Sequence, residues 1–291
     1  MNTLEEFEDL LSAEVHVDVD RLRQASRHGI PEEVRGLVWK FLLEVEPADR
    51  SKDQTHARRL AEGYHSIPKS TDVEVSRRCR AECQRLLPRL PSPLCPDRPS
   101  LDIPGIVERL IATFLGRTDD REYTPGLVNM TLPFIMVFEQ ESDMYWCFER
   151  LIHSLDELFK EHELHERVAK FMTLLRATLP DLYNYFEEEE VDVKEWSASW
   201  MSYLLARELP IHCTIRLWDN YFCALPEERL DLHTYVCIAL LKRFKEELED
   251  LEQSEIRTIL RRLPVMDMED ILNQAINVKH RVLERQMTQQ I

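Results

Sequence analysis

Apolar residues recur three and four positions apart along almost the whole of this chain, and no stretch shows the sustained alternation of a strand. Val34, Leu37, Val38, Phe41 and Leu42 form one such stripe in residues 31–45, which Pro31 opens at a first-turn position, with Glu32 and Glu33 suited to the positive end of a helix dipole. Ile106, Leu110, Thr113 and Phe114 form another after Pro104. Trp146, Leu151, Leu155 and Leu158 mark residues 142–160, and Val168, Phe171, Leu174 and Leu175 mark 163–178. Further helices are expected over 194–207, 211–224, 230–248, 255–263 and 268–283. Only 6 residues are glycine while 44% are hydrophobic, so the expected fold is all-α, with a sizeable core.

Residues 46–72 and 88–104, rich in Pro, Asp and Ser, read as loops inside one domain because apolar helices resume on either side. The run Glu187–Glu190 reads as a helix end entering a solvated turn.

Charge and cysteine usage narrow the function classes. A net charge of −17 disfavours nucleic acid and unaided binding to anionic lipid. Seven cysteines without a framework of regular spacings read as reduced thiols. Cys79 and Cys83 could share a helical face, but no second pair or His-x-x-x-His completes a metal site. No run of about 18 apolar residues occurs and the opening Met1–Glu6 is acidic, so the expectation is a cytoplasmic protein, brought to membranes through partners and not inserted in them. The acidity is uneven: Arg77, Arg78, Arg80, Arg85 and Arg89 stand against one acid between residues 77 and 89, a local cationic island.

Two segments far apart in the sequence carry a resemblance. Gly29-Ile30-Pro31 leads through Arg35 to Trp39, and Trp200 leads through Leu204, Arg207 and Pro210 to Arg216-Leu217-Trp218-Asp219. These are similar to the G-I-P-x-x-x-R-x-x-x-W and W…P…R-x-W-D motifs of the TBC domain, a helical module that stimulates GTP hydrolysis by Rab-type small GTPases. The resemblance implies one TBC domain over 25–280, with an N-terminal helical extension at 1–24 and a helix end or tail at 281–291. Arg35, Trp39, Trp200, Arg216, Trp218 and Asp219 are then structural, a polar and aromatic network that holds helices in register.

The chain has no phosphate-binding G-x-x-x-x-G-K-[ST] loop and no G-x-G-x-x-G, so no cofactor is expected; GTP and magnesium would belong to the partner GTPase. Members of the family supply an arginine from I-x-x-D-x-x-R and an amide from Y-x-Q. An arginine given in trans stabilises charge on the transferring phosphoryl group, and an amide orients the attacking water. Here Cys79-Arg80-Ala81-Glu82-Cys83-Gln84-Arg85 is a degenerate version of the first motif, followed by Leu86-Leu87-Pro88 where the family has T-x-P. Arg85 is the candidate finger, with Arg78 or Arg80 possible in a shifted register, and Arg78, Arg80, Arg85 and Tyr123 form the candidate partner-binding set.

The second motif is altered. Tyr123, Gly126, Pro133 and Phe134 fit Y-x-Q-G-x-N-x-x-x-x-P-F without a gap, which puts Pro125 at the glutamine and Val128 at the asparagine. Proline has neither a side-chain amide nor a backbone N–H. The resemblance therefore implies either an activator of a Rab-type GTPase with atypical or impaired catalysis, or a TBC-fold module that binds a small GTPase or scaffold subunit without accelerating hydrolysis.

Overall fold

Side-chain oxygens cap the starts of several helices. Thr3 accepts from the Glu6 N–H to start α1 (Leu4–Leu11), Asp18 from Arg21 to start α2 (Val19–Ser26), Asp72 from Glu74 and Val75 to start α5 (Val73–Leu86), and Asp192 from Lys194 to start α11 (Val193–Tyr203). Each satisfies amide donors that the first turn leaves without an internal partner. The computed structural model describes residues 3–70, 72–90, 101–117 and 122–289. Among them are fifteen α-helices and three short 3-10 turns, with one isolated bridge between His16 and Asp49 as the extended pairing. The fold is all-α.

The helices gather into two compact units. The first runs to Ser154 and includes Phe222–Ala224. Beside α1, α2 and α5 it contains α3 (Glu32–Leu42), α4 (Asp53–Ser66), α6 (Ile103–Arg117), α7 (Gly126–Val137) and the start of α8 (Glu141–Glu161). Its core centres on the fully buried Trp39, whose ring meets Phe134 and Phe222 edge-on at centroid distances of 5.8 and 4.9 Å. Such pairings add about 0.5–1.5 kcal/mol each beyond the area they bury. Pro31 sits at the N-cap of α3 rather than inside its first turn.

The second unit holds the end of α8, α9 (Leu164–Thr178), α10 (Pro180–Glu188), α11, most of α12 (Ile211–Cys223), α13 (His233–Leu248), α14 (Gln253–Arg261) and α15 (Met268–Gln289). Glu187 and Glu188 close α10 and Glu190 turns out with φ of 54°, so the acidic run ends a helix as expected. No helix among the described residues is long and apolar enough to cross a membrane.

Three expectations change. Residues 46–72 are not a loop throughout, because α4 occupies 53–66. Tyr64 is buried and donates to Glu141 Oε1 at 2.6 Å, while the Trp146 indole donates to the Leu60 carbonyl at 2.9 Å, so packing against α8 holds a helix that polar composition disguised. Helix α11 stops at Tyr203 rather than 207: Leu204 and Leu205 adopt φ of 48° and 63°. Burying both leucines offsets a left-handed conformation that costs roughly 1–2 kcal/mol per residue. Of 88–104, Leu87–Arg89 is a 3-10 turn and Ile103 already begins α6, while 91–100, with Pro91, Pro93, Pro96 and Pro99, lies outside the described residues.

Candidate functional site

Helix α5 sets its arginines apart by face. Cys79 and Cys83, four residues apart, are 1% and 2% exposed and form the face that packs against α6 and α7. Burial pushes their thiols up to about 11 and about 12, so both stay protonated and unreactive at neutral pH. The spacing expected of a shared face holds, and its use is packing. Six cysteines are free and buried; the seventh, Cys95, lies outside the described residues.

Around that buried face the arginines have different partners. Arg80 donates to Glu108 of α6 at 2.7 Å, a bond that holds the Glu108 carboxyl below its ordinary range. Arg77 forms a two-point contact with Glu74 within α5. Arg78 lies over the ring of Tyr123, 4.8 Å from its centroid. Arg85 meets Glu82 at 2.7 Å, with its side chain 68% exposed. The side chain of Arg89 lies outside the described residues.

Residues 78, 82 and 85, spaced four and three apart, share one face of α5, with Arg80 nearly opposite. At 1.5 Å per residue Arg85 stands roughly 10 Å along the axis from Arg78. The structure thus joins Arg78 and Tyr123 directly, turns Arg80 away to α6, and holds Arg85 within its own helix, by Glu82 and by the Ala81 carbonyl, which accepts from its Nε at 3.3 Å. The Arg85 end of its pair with Glu82 faces solvent, while the Glu82 side chain is largely covered, so the guanidinium is the end that can reach another anion.

Tyr123 is buried and leads into α7. Its hydroxyl lacks a formed hydrogen bond; burial first, and the neighbouring Cys79 thiol second, push its ionisation well above the usual range. It is a neutral packing group, not an acid–base catalyst. Pro125 is the N-cap of α7 in helical conformation, with no side-chain bond to the first turn. The Leu127 and Val128 N–H groups are met by the Thr124 and Pro125 carbonyls at 3.1 Å. Val128 is fully buried, and Asn129 is 5% exposed with Oδ1 unpartnered, so the nearest amide in sequence faces inward. Gln140 is exposed, but its carbonyl starts α8.

The motif residues are placed as follows. In the first unit Arg35 is half-buried and donates to the Ile30 carbonyl, and Trp39 lies at the core centre. In the second, Trp200, Trp218 and Asp219 are buried. The Trp200 indole donates to the Leu260 carbonyl at 2.9 Å, the Trp218 indole to Leu204 at 3.4 Å, and Arg216 pairs with Glu269.

Sequence reasoning missed two buried titratable groups beside this motif. His233 is fully buried, with Nε2 2.9 Å from the Trp200 carbonyl and Nδ1 2.7 Å from the Tyr221 hydroxyl. A carbonyl only accepts, so Nε2 carries the proton and Nδ1 accepts from Tyr221. Burial lowers His233 to about 3 and keeps it neutral. Glu208 is 5% exposed; it accepts from Ser199 at 2.6 Å through Oε1, while Oε2 has no partner. Burial raises its carboxyl to about 7. The one signal for Glu208 was its place in the Trp200…Pro210 interval.

The chain resembles known proteins over most of its length. It is 28% identical over 293 residues to human TBC1 domain family member 22B, covering 90% of this chain and 57% of that protein. It is 26% identical over 303 residues to the Schizosaccharomyces pombe GTPase-activating protein gyp1, covering 92% and 58%. The chain thus spans a little over half the length of these curated relatives. Among solved structures, the Ypt/Rab-GAP domain of Gyp1p superposes with a TM-score of 0.77 at 21% identity, covering 94% of this chain and 96% of that one. A Chlamydomonas flagellar RabGAP TBC domain gives 0.69 at 16% identity. Both show the same fold. The Rab-GTPase-TBC domain model matches residues 32–249, most of the chain, and the chain therefore belongs to the Rab-GTPase-TBC domain family.

Proposed function

We propose that this chain stimulates GTP hydrolysis by a Rab-type small GTPase through Arg85 alone, within a domain over 25–280. Family membership and the relatives' names support a GTPase partner. The single observation behind the choice of residue is the setting of Arg85: it lies in the last turn of α5 on the face that carries Arg78, with its side chain exposed and its polar contacts, to Glu82 and the Ala81 carbonyl, both within α5. On binding, its guanidinium leaves Glu82 for the phosphoryl oxygens, where developing charge makes the contact strongest in the transition state. Arg78 and Tyr123 stay together and shape the surface beside it. Positioning of water falls to the GTPase, because Pro125 supplies no donor.

Pro125 itself favours the second reading, a TBC-fold module that holds a GTPase, or a scaffold subunit, without changing its rate. Single-turnover hydrolysis over a panel of Rab-type GTPases separates the two. A rate above the intrinsic one that Arg85→Ala abolishes supports the first. Saturable binding at the intrinsic rate with every GTPase overturns it in favour of the second.

A further inference from the structure

The second unit carries a cleft of about 110 Å³ where the end of α9 meets α13 and α15. Its floor is apolar: Leu179 and Val278 are each 8% exposed, Ile238 is fully buried, and Val282 is half-buried. The hydroxyl of Thr178, also at the wall, already donates to the Leu174 carbonyl at 2.7 Å. What remains open at the base is a hydrophobic seat. Its volume is somewhat below the roughly 150 Å³ that accepts a benzene ring, which suits one aliphatic side chain and not an acyl tail.

Around the seat stand Lys242, one turn beyond Ile238 on α13, and Arg281 and Arg285, which flank Val282 on α15. All three are exposed, and none has an ion pair or hydrogen bond with a described residue. Several other cations of this unit are paired, although Arg243 and Lys279 also have no ion pair with a described residue. Lys245 meets Asp181 at 2.9 Å, Arg257 and Arg261 share Glu195, and Arg216 takes Glu269. On a chain of net charge −17, the residues that line this apolar depression include three cations and no acid, with Glu284 beside Arg285 on α15, and the three cations repel each other.

We propose that this cleft docks an acidic peptide segment of a partner protein, which seats one aliphatic side chain against Ile238, Val278 and Val282 while flanking carboxylates meet Lys242, Arg281 and Arg285. Charge complementarity selects the occupant, and the small seat sets its spacing. Two arginines one turn apart offer paired forks for carboxylates, a geometry lysines could not reproduce. The rim is solvent-exposed, so the charges contribute chiefly to association rate and selectivity while the seated side chain slows release.

The test uses the full chain and short fluorescent peptides that place one leucine among aspartates and glutamates at varied spacings, titrated by anisotropy at low and high salt. At least one peptide is expected to bind saturably and to weaken as salt rises. The triple variant Lys242→Glu, Arg281→Glu, Arg285→Glu is expected to bind it about tenfold or more weakly. Because all three side chains are exposed, its thermal transition and its effect on GTP hydrolysis should match wild type. The proposal is overturned if variant and wild type bind alike, if replacing the leucine by serine leaves affinity unchanged, or if no peptide binds. Retention of anionic phospholipid vesicles in place of the peptides would overturn it in favour of a membrane surface.

Discussion

The arginine face of α5 and the closing motif around Trp200 use polar groups in opposite ways. On α5 the arginines lie outside a packed helix, and Arg85 reaches from solvent to the largely covered Glu82 of its own helix. Around Trp200 the polar groups lie within the core: its indole is spent on Leu260, its carbonyl on His233, and His233 on Tyr221. A network of that kind has no free valence for a ligand, and removing one member strands another where water cannot repair it. Solvent-facing charge is available for function, whereas satisfied buried polarity is committed to the fold.

Substitutions can break this contrast or sharpen it. The largest effect is expected from Arg85→Ala, which should lower the stimulated rate of GTP hydrolysis by about 10³-fold or more while changing unfolding free energy by less than about 1 kcal/mol. Single-turnover kinetics and urea unfolding on the same preparation check both halves. Full stimulation by the variant would remove the finger from α5.

Trp200→Ala should do the reverse, costing about 3–5 kcal/mol of stability through the lost aromatic volume and an orphaned Leu260 carbonyl. Its loss of activity should follow the unfolded fraction. A well-folded variant with selective loss would instead make Trp200 part of the site.

Next in size is a pH effect from the buried carboxylate. Glu208 is raised in the folded state from 4.5 to about 7, so the stability that its protonated form gives is complete below about pH 4.5 and lost as pH rises to about 7. His233, lowered from 6.5 to about 3, acts oppositely: its contribution is complete above about pH 6.5 and lost as pH falls toward 3. The two slopes offset one another between about pH 4.5 and 6.5. Glu208→Gln should therefore raise unfolding free energy relative to wild type at pH 8 by roughly 3 kcal/mol, with the gain vanishing near pH 4. Urea unfolding across that range would show a flat difference if Glu208 were solvated.

Pro125→Gln should have the smallest effect. Restoring an amide at the start of α7 adds at most one hydrogen bond to the attacking water, about 1 kcal/mol or roughly fivefold in rate, and only while Arg85 is present. Equal gains with and without Arg85 would separate the two positions functionally.

Much of this was legible in the sequence because helices write their packing into a periodic code. The stripes from Val34 to Leu42 and from Val168 to Leu175 needed nothing beyond spacing. Helix α4 was not legible, since its stability depends on Tyr64 reaching Glu141 across 77 residues of sequence. The end of α11 was hidden for the same reason: nothing local in Leu204 or Leu205 announces a left-handed turn, and only burial in the second unit makes it worthwhile. At the candidate site, residue types and register were readable from the motifs, while the partner of each arginine was not.

By itself the sequence determined the helical class, the motifs that carry family membership and the absence of an amide at position 125, because all three depend on residue type and order along the chain. The tertiary structure decided the rest: that Arg80 is taken by Glu108, that Arg78 rests on Tyr123, that Glu82 is largely covered while Arg85 faces solvent, and that Lys242, Arg281 and Arg285 ring an apolar seat. Those outcomes depend on distances between side chains remote in sequence, and electrostatic pairing falls off with separation in space, not with separation along the chain.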